Sequence, residues 1–546
     1  MPATLTLNGS SVAAPVGATL FDCAEQLGVS VPTSCHKQGR CRECLVEVVE
    51  GMDALSPRTL EEKHLDGRFR LSCRAAIASD AGVIECHTMR RGEMRIDLAA
   101  AGMPGLAGIA PDPAVTRCAG AICIDGEEIE RSDGPIYGIA ADLGTTTVVL
   151  RLYNLETGDL VAGASFENPQ RFGGSDVMAR IHYDTLHPGK QLRRVLAAYL
   201  THAIEEFPVE QRSIYEIIVV GNSTMRDLFF RQNVHSIGQS PYQSVTELQM
   251  AEGRRATTSL TETGRRSLLP IHPRARAWGA PVISGHVGAD AAACMLAAGI
   301  GQEERLVAIM DIGTNTELIV GNRHRILAAS CPAGPAFEGG AIACGMPALP
   351  GAIEDLRIAP DGRFELKVVG GGNPEGICGS GLVTLLSELL RTGRMNEFGR
   401  FEDGASRISL DPRARVFFLE SDASELAQAK GANAAGLHVV FANYGIGFND
   451  IEVFYLAGGF GRHIDAAAAA SIGLIPPIPP QRIVHAGNAA IEGASLALLS
   501  RALRQELEEL VKRVEHCRLE TNPHFFDFFV EGCQFKPLEQ ADRVAG

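Results

Sequence analysis

The apolar positions of this chain fall into short segments that read as alternating strands and helices. Residues 3–8 and 10–14 alternate as two strands, with Asn8-Gly9 between them as a hairpin turn. Thr19 to Leu27 sets Leu20, Ala24 and Leu27 on one face, which predicts a helix. Cys41 to Val49 alternates again as a strand. Ser56-Pro57 has the cap and first-turn residues of a short helix, and Val83 to His87 reads as a closing strand. Ala99 to Pro113 is rich in Ala, Gly and Pro, as a tether is, and Ala121 to Asp125 is a short strand-forming piece. From residue 136 the pattern becomes strand-turn-strand-turn-strand, with apolar runs at 137–141, 148–153 and 160–166. The same pattern returns at 306–310, 318–320 and 326–330. Further along, Val195 to Glu206, Ala289 to Ala298 and Gly379 to Leu390 read as helices. Ile217 to Val220 reads as a buried strand feeding a polar loop, and Ala280 to His286 repeats that arrangement. Val453 to Ala457 is a buried strand, and Gly487 opens a long amphipathic helix to about Val514.

The repeated unit carries repeated chemistry. Ala141-Asp-Leu-Gly-Thr-Thr-Thr147 and Met310-Asp-Ile-Gly-Thr-Asn-Thr316 stand 169 positions apart, each between its first and second strands. One such turn is commonplace. Two of them heading matched units point to two half-sites facing across a cleft. Bare backbone N–H groups at glycine, hydroxyls of Thr and a carboxylate for a cation suit a nucleotide triphosphate and its Mg²⁺. Asp142 and Asp311 are the candidate metal and water positions. Gly144, Thr145, Thr146, Gly313, Thr314 and Asn315 are the candidate phosphate contacts. A Gly-Gly-x-Gly loop after the buried strand at 453–457 places Gly458, Gly459 and Gly461 against adenine and ribose.

The first tenth of the chain holds a second chemistry. Cys35, Cys41 and Cys44 stand in a C-x5-C-x2-C loop, and Cys73 follows in Leu-Ser-Cys-Arg. Three close thiols and one distant one fit a 2Fe–2S cluster, with one residue more in the first gap than the plant-type spacing. Zinc also takes four thiolates and is the rival ion. Two hairpin strands, a helix, a cysteine loop and a late cysteine match the β-grasp layout of 2Fe–2S ferredoxins. Cys23 and Cys86 lie in apolar contexts and read as core thiols.

Size and charge narrow the classes. A chain of 546 residues calls for three or four structural units. The expected division is 1–91 cluster domain, 92–135 linker, 136–305 first lobe and 306–546 second lobe. A net charge of −15 disfavours a nucleic-acid surface. No apolar run has membrane-spanning length, and the start lacks a basic and then apolar leader, so a cytoplasmic protein is expected. The fourteen cysteines are spread along a long chain, which fits clusters and buried thiols better than disulfides.

Taken together, the two Asp-x-Gly-Thr turns and Gly458-Gly-Phe-Gly461 resemble the phosphate-1, phosphate-2 and adenosine motifs of the acetate and sugar kinase/Hsp70/actin superfamily. That resemblance implies an α/β class with a duplicated RNase H-like, two-lobed domain after the β-grasp ferredoxin. The order of domains is similar to the reductive activators of corrinoid proteins. Glu167-Asn-Pro-Gln170, Gly221-Asn-Ser-Thr-Met225, Asp311 to Glu317, Gly379-Ser-Gly-Leu382 and Ala457-Gly-Gly-Phe-Gly461 look like that family's landmarks. A related branch carries 4Fe–4S clusters, which this cysteine pattern does not match. The resemblance implies one-electron reduction of a corrinoid Co(II) to Co(I), assisted by ATP. Its implied partners are a corrinoid methyltransferase protein and a reductant protein, and it admits a homodimer. Other readings are an ATP-driven activator of another enzyme, as in 2-hydroxyacyl-CoA dehydratase activation, or a small-molecule kinase bearing a ferredoxin domain.

Overall fold

The computed structural model describes residues 2–80, 82–89, 110–411, 416–459, 461 and 463–539. The stretch 92–109 of the expected linker, Phe460 and the last residues lie outside them. In the N-terminal unit, strands β1 (Ala3–Leu7), β2 (Ser10–Ala14), β3 (Leu45–Glu50), β4 (Phe69–Leu71) and β5 (Val83–Thr88) form one sheet in the order β2-β1-β5-β3-β4. β1 pairs antiparallel with β2 and parallel with β5, and helix Leu20–Gln26 packs on the sheet. Asn8 and Gly9 both have positive φ, the turn geometry that matches strand twist. Thr19 caps the helix through a reciprocal box with Asp22. Cys23 and Cys86 are fully buried. The expected helix at Ser56-Pro57 is absent. That segment stays irregular, and a single turn forms instead at Leu60–Glu62, where the Glu62 carboxylate accepts from the Thr59 N–H at 2.9 Å. The strand expected from Cys41 begins only at Leu45, because Cys35 to Cys44 is loop throughout.

Three strands follow, β6 (Val115–Cys118), β7 (Ala121–Ile124) and β8 (Glu127–Arg131), in one antiparallel sheet. The sheet lies on the next unit: Tyr215 donates to Glu130, and Arg274 donates to the Ile129 carbonyl at 2.6 Å.

The duplication is visible in the topology. β9 (Tyr137–Leu143), β10 (Thr147–Asn154), β11 (Leu160–Glu167), β12 (Ile214–Val220), β13 (Leu260–Thr263) and β14 (Arg276–Gly279) form a sheet ordered β11-β10-β9-β12-β14-β13. In the second half β15 (Val307–Ile312), β16 (Thr316–Gly321) and β17 (Ile326–Cys331) come first. After them β18 (Ala352–Ile358), β19 (Phe364–Val368) and β20 (Gly376–Ile377) make a small separate sheet, and β21 (Arg407–Asp411) and β22 (Val416–Leu419) make a hairpin. β23 (Val453–Ala457), β24 (Ile483–Gly487) and β25 (Val514–His516) then complete the larger sheet, ordered β24-β23-β15-β16-β17-β25. In both large sheets the first strand pairs antiparallel with the second and parallel with the fourth. The strand expected within Ala280 to His286 lies just before it, at β14, and 280–288 is loop.

The two halves exchange helices. Helix Ala289–Ala297 of the first half reaches β15 and β16, while helix Ala489–Leu499 of the second packs on β9, β10 and β12. The two helices pack directly on each other, so closely that a Cβ on Gly493 would sit 2.0 Å from the Ala293 carbonyl oxygen. The helix expected to run unbroken to about Val514 stops at Ser500. This residue is extended (φ −143°), and its hydroxyl caps a second helix, Arg501–Leu510. The first of these helices is buried all round; only the second is amphipathic.

Candidate functional site

The strand ends that carry the two Asp-x-Gly-Thr turns meet across the halves. Thr146 Oγ1 lies 2.8 Å from Thr314 Oγ1, and the Glu338 carboxyl bridges both, receiving Thr146 at 2.9 Å and Thr314 at close range. Side chains around the turns hold them in place. Asn222 donates to Thr145 Oγ1 at 2.8 Å, and Asn168 Nδ2 donates to the Gly144 carbonyl at 2.8 Å. Asn488, at the start of the buried helix, donates to Asp142 Oδ2 at 2.7 Å, and the Cys294 thiol donates to Asp311 Oδ2 at 3.3 Å. Gly458 follows β23 with φ +108°. A Cβ there would lie 2.2 Å from the Ile312 carbonyl and 3.0 Å from Asp311 Oδ1, so the glycine loop closes directly on the second turn. Gly461 is buried and Gly459 is exposed. Gly313 faces the Glu338 carboxyl, and the Asn315 carbonyl lies beside Gly313.

The cleft concentrates carboxylates beyond those expected from the sequence. Burial pushes Asp142 up to about 7; the Asn488 bond opposes the rise and the charge of Asp311 adds to it. Asp290 is pushed to about 7 by burial and by Asp142 and Asp311, and Asp311 to about 6 by burial against the Cys294 hydrogen bond. Glu317 rises further, through burial and the charges of Asp290 and Asp311. Glu338 also rises through burial, although both Thr hydroxyls pull it down. Asp290, Asp311 and Glu338 each keep an opening to the cleft. Carboxylates in this number, crowded and only partly solvated, raise one another's proton affinity, although among the described residues no three of them converge on one point as ligands of a single ion. Asp290, Glu317, Glu338, Asn222 and Asn488 stand outside the residue set read as candidate ligands. Asn488 caps one small-residue helix and Asp290 sits in the first turn of another, local signals that read equally well as helix starts.

At the other site, Cys44 Sγ lies 3.3 Å from Cys73 Sγ, and Cys35 is hydrogen-bonded to Cys41. The thiols therefore pair two and two. Among the described residues no three His, Cys, Asp or Glu side chains converge as ligands of a single ion. Two thiols for each of two irons fits this arrangement; the four-thiolate zinc alternative needs all four sulfurs around one point. The loop bends through positive φ at His36, Lys37, Gly39 and Arg42, which turns its N–H groups inward. Burial raises the Cys35 thiol, but the N–H groups of Cys41, Arg40 and Gln38 and the Cys41 side chain outweigh it and leave the thiol at about 7. The hydrogen bond from Cys44 lowers Cys73, and the Gly39 N–H adds to that; the same pairing and burial raise Cys44. N–H groups aimed at sulfur favour thiolate and tune a bound cluster.

The cluster unit rests on the first half. Gln191 Nε2 donates to the carbonyl of Arg42, inside the cysteine loop, at 2.9 Å. Tyr183 donates to the His64 carbonyl at 3.1 Å, and Arg171 pairs with Glu47 at 2.7 Å and with Glu167 at 3.2 Å.

Comparison with known proteins gives three family matches. Residues 5–78 match the 2Fe-2S iron-sulfur cluster binding domain, 137–303 the RACo middle region, and 305–544 the C-terminal domain of RACo, the ASKHA domain. The chain is 27% identical to corrinoid activation enzyme RamQ of Eubacterium limosum, over 94% of this chain and 95% of that one. It is 26% identical to the Co(II) methylated amine-specific corrinoid protein reductase of Methanosarcina barkeri, over 75% of this chain and 79% of that one. Among solved structures, a reductive activator for corrinoid, iron-sulfur protein superposes with a TM-score of 0.72 at 24% identity, over 98% of this chain and 99% of that one, and so shares the fold. No helix among the described residues is long and apolar enough to cross a membrane. With a ferredoxin-type unit at its start and both RACo regions matched in order behind it, the chain belongs to the RACo family.

Proposed function

We propose that this protein is an ATP-dependent reductive activator of a corrinoid protein, delivering one electron from a 2Fe–2S cluster to the partner's Co(II) and restoring Co(I). The observation that carries this reading is the joining of two sites in one chain. A thiol set paired for two irons rests on the half whose phosphate turn meets its duplicate through Thr146, Glu338 and Thr314. The relatives' names, a corrinoid activation enzyme and a Co(II) corrinoid protein reductase, support the choice of partner.

In this reading Cys35 and Cys41 hold one iron, and Cys44 and Cys73 the other. The bound cluster supplies one-electron chemistry at a potential near the roughly −400 mV of plant-type centres. Asp142 and Asp311, helped by Asp290, bind Mg²⁺. Gly144, Thr145, Thr146, Gly313, Thr314 and Asn315 hold phosphate, and Gly458, Gly459 and Gly461 meet the adenosine. Phosphate entering between the two turns competes with Glu338 for the Thr146 and Thr314 hydroxyls, so nucleotide changes how the halves join. A separate reductant protein reloads the cluster, and the cytoplasm is the compartment that suits free thiols and ATP.

The test uses the reconstituted full chain, a chemical reductant, MgATP and a Co(II) corrinoid protein. A Co(I) absorption band that requires MgATP is expected. Reduction that proceeds equally without nucleotide, or no reduction of any corrinoid protein from the same source, would overturn the proposal.

A further inference from the structure

Among the described residues, one deeply buried cation beside the cleft has no paired anion. Arg180, on helix Val177–Leu186, is 1% exposed. Its Nε donates to the Gly174 carbonyl at 3.0 Å, and its Nη1 lies 3.1 Å from the Met225 thioether sulfur. Asp176, Glu338 and Glu167 act on its charge from a distance. Among the described residues no carboxylate comes within ion-pair distance of it, whereas the other deeply buried arginines Arg70, Arg151, Arg193 and Arg226 each have one. Enclosing a guanidinium with only a carbonyl and a thioether leaves most of its lost hydration unreplaced. A leucine or methionine would fill the same space without that cost.

Its position points to an occupant. The Met225 sulfur that Arg180 touches is 3.8 Å from Asn168 Nδ2, and that nitrogen donates to the Gly144 carbonyl in the first phosphate turn. Met225 belongs to the helix whose cap, Asn222, holds Thr145. Arg180 therefore stands two contacts behind the turn, on the half that presents Thr146 to Glu338. The loop it anchors also buries Gln170 completely, with neither amide atom hydrogen-bonded among the described residues. Gln170 on the loop and Arg180 on the helix behind it thus offer donors beyond those that the protein itself uses. A guanidinium matches a phosphate in charge and in its forked geometry.

We propose that Arg180 binds the terminal phosphate of the nucleotide and so lets the cleft distinguish a triphosphate from a diphosphate. This rests on the nucleotide reading given above. The desolvation that holds its pKa down to about 10 still leaves the group charged at neutral pH, as the role requires.

The experiment measures ATP and ADP affinity, each with Mg²⁺, for the full-length wild-type chain and for Arg180→Ala and Arg180→Lys. Wild type binds both, with ATP the tighter. Arg180→Ala is expected to weaken ATP roughly tenfold or more while ADP stays within about twofold, since a hydrogen bond to a charged group is worth that much. Arg180→Lys, which keeps charge without the fork, should fall between. Should Arg180→Ala fail to fold, the lysine variant decides alone by its ATP-to-ADP ratio. An unchanged ratio in the folded variants overturns the assignment while leaving the nucleotide site standing. Failure of wild type to bind either nucleotide overturns both.

Discussion

Asp142→Asn should stabilise the nucleotide-free protein while disabling it. Asp142 is 8% exposed and accepts from Asn488 at 2.7 Å. An asparagine there has the same shape and keeps a carbonyl oxygen for that bond, so the change removes a charge and little else. Burial, with the charge of Asp311, lifts the carboxyl from 3.8 to about 7. The folded state then binds its proton more tightly than the unfolded chain does. Stability therefore falls as pH rises from about 4 to about 7, and stays at the lower level above that. At about 1.4 kcal/mol per unit, the wild-type penalty is about 1 kcal/mol at pH 4.5 and about 4 kcal/mol at pH 8. The neutral amide carries none of it.

The assay follows unfolding in urea without Mg²⁺ or nucleotide. The single tryptophan, Trp278 on β14, is 6% exposed in the first half and reports that half directly. The asparagine variant should be more stable than wild type at pH 8, and its advantage should shrink by a few kcal/mol at pH 4.5. Adding MgATP should stabilise wild type and do much less for the variant, because the cation that relieves the crowding loses a ligand. A variant no more stable than wild type at pH 8, or one with the same advantage at both pH values, would refute the account of a cleft held under charge strain until a cation enters.

Three other outcomes follow from the same geometry. Cys44→Ser should abolish the visible absorption of the reconstituted cluster while leaving nucleotide affinity intact, read by absorbance and by titration calorimetry. Gly458→Ala places a Cβ 2.2 Å from the Ile312 carbonyl at φ +108°; it should cost roughly 1–3 kcal/mol of stability and weaken nucleotide binding, measured by urea melts and calorimetry. His64 is buried, and burial, aided by Arg42, lowers it to about 4 although the Glu61 backbone pulls it up. Its stabilising contribution is complete above about 6.5 and lost as pH falls toward 4, a swing of about 3 kcal/mol, so His64→Leu should flatten the melting profile across that window.

The legible parts of this chain are those whose signals are local. The Asn8-Gly9 turn, the helix that follows Thr19, the three close cysteines and the two acidic turns each announce themselves within a few residues. What the sequence hides is either enclosed or distant. The helix Glu420–Tyr444 shows no amphipathic period because it is packed on more than one side: a Cβ on Gly431 would meet Cys533 Sγ at 2.7 Å, and one on Gly436 would meet Cys331 Sγ at 2.0 Å. The break at Ser500 looks like continuous helix because apolar residues run on past it. Asp290 and Glu317 flank Asp311 in space but come from separate elements, so nothing in their neighbourhoods marks them as a set. Asn488 reaches Asp142 across 346 positions, and only the exchange of helices between the halves brings them together.

The loop at 167–173 explains why the two sites belong in one chain. Asn168 binds the first Asp-x-Gly-Thr turn through its backbone N–H to the Thr146 carbonyl and through its side chain to Gly144. Three residues later Arg171 grips Glu47 of the cluster unit and lies over Phe69. A movement of the turn would have only three peptide bonds to cross to reach the contact with the cluster unit. The energy this joint must transmit is modest. Moving one electron uphill by 100 mV costs about 2.3 kcal/mol. Nucleotide supplies that if it binds one arrangement of the halves roughly fifty-fold more tightly than the other. Losing one charged contact is worth a similar factor, and in the proposed nucleotide reading the junction of Thr146, Glu338 and Thr314 is where such a contact would be exchanged.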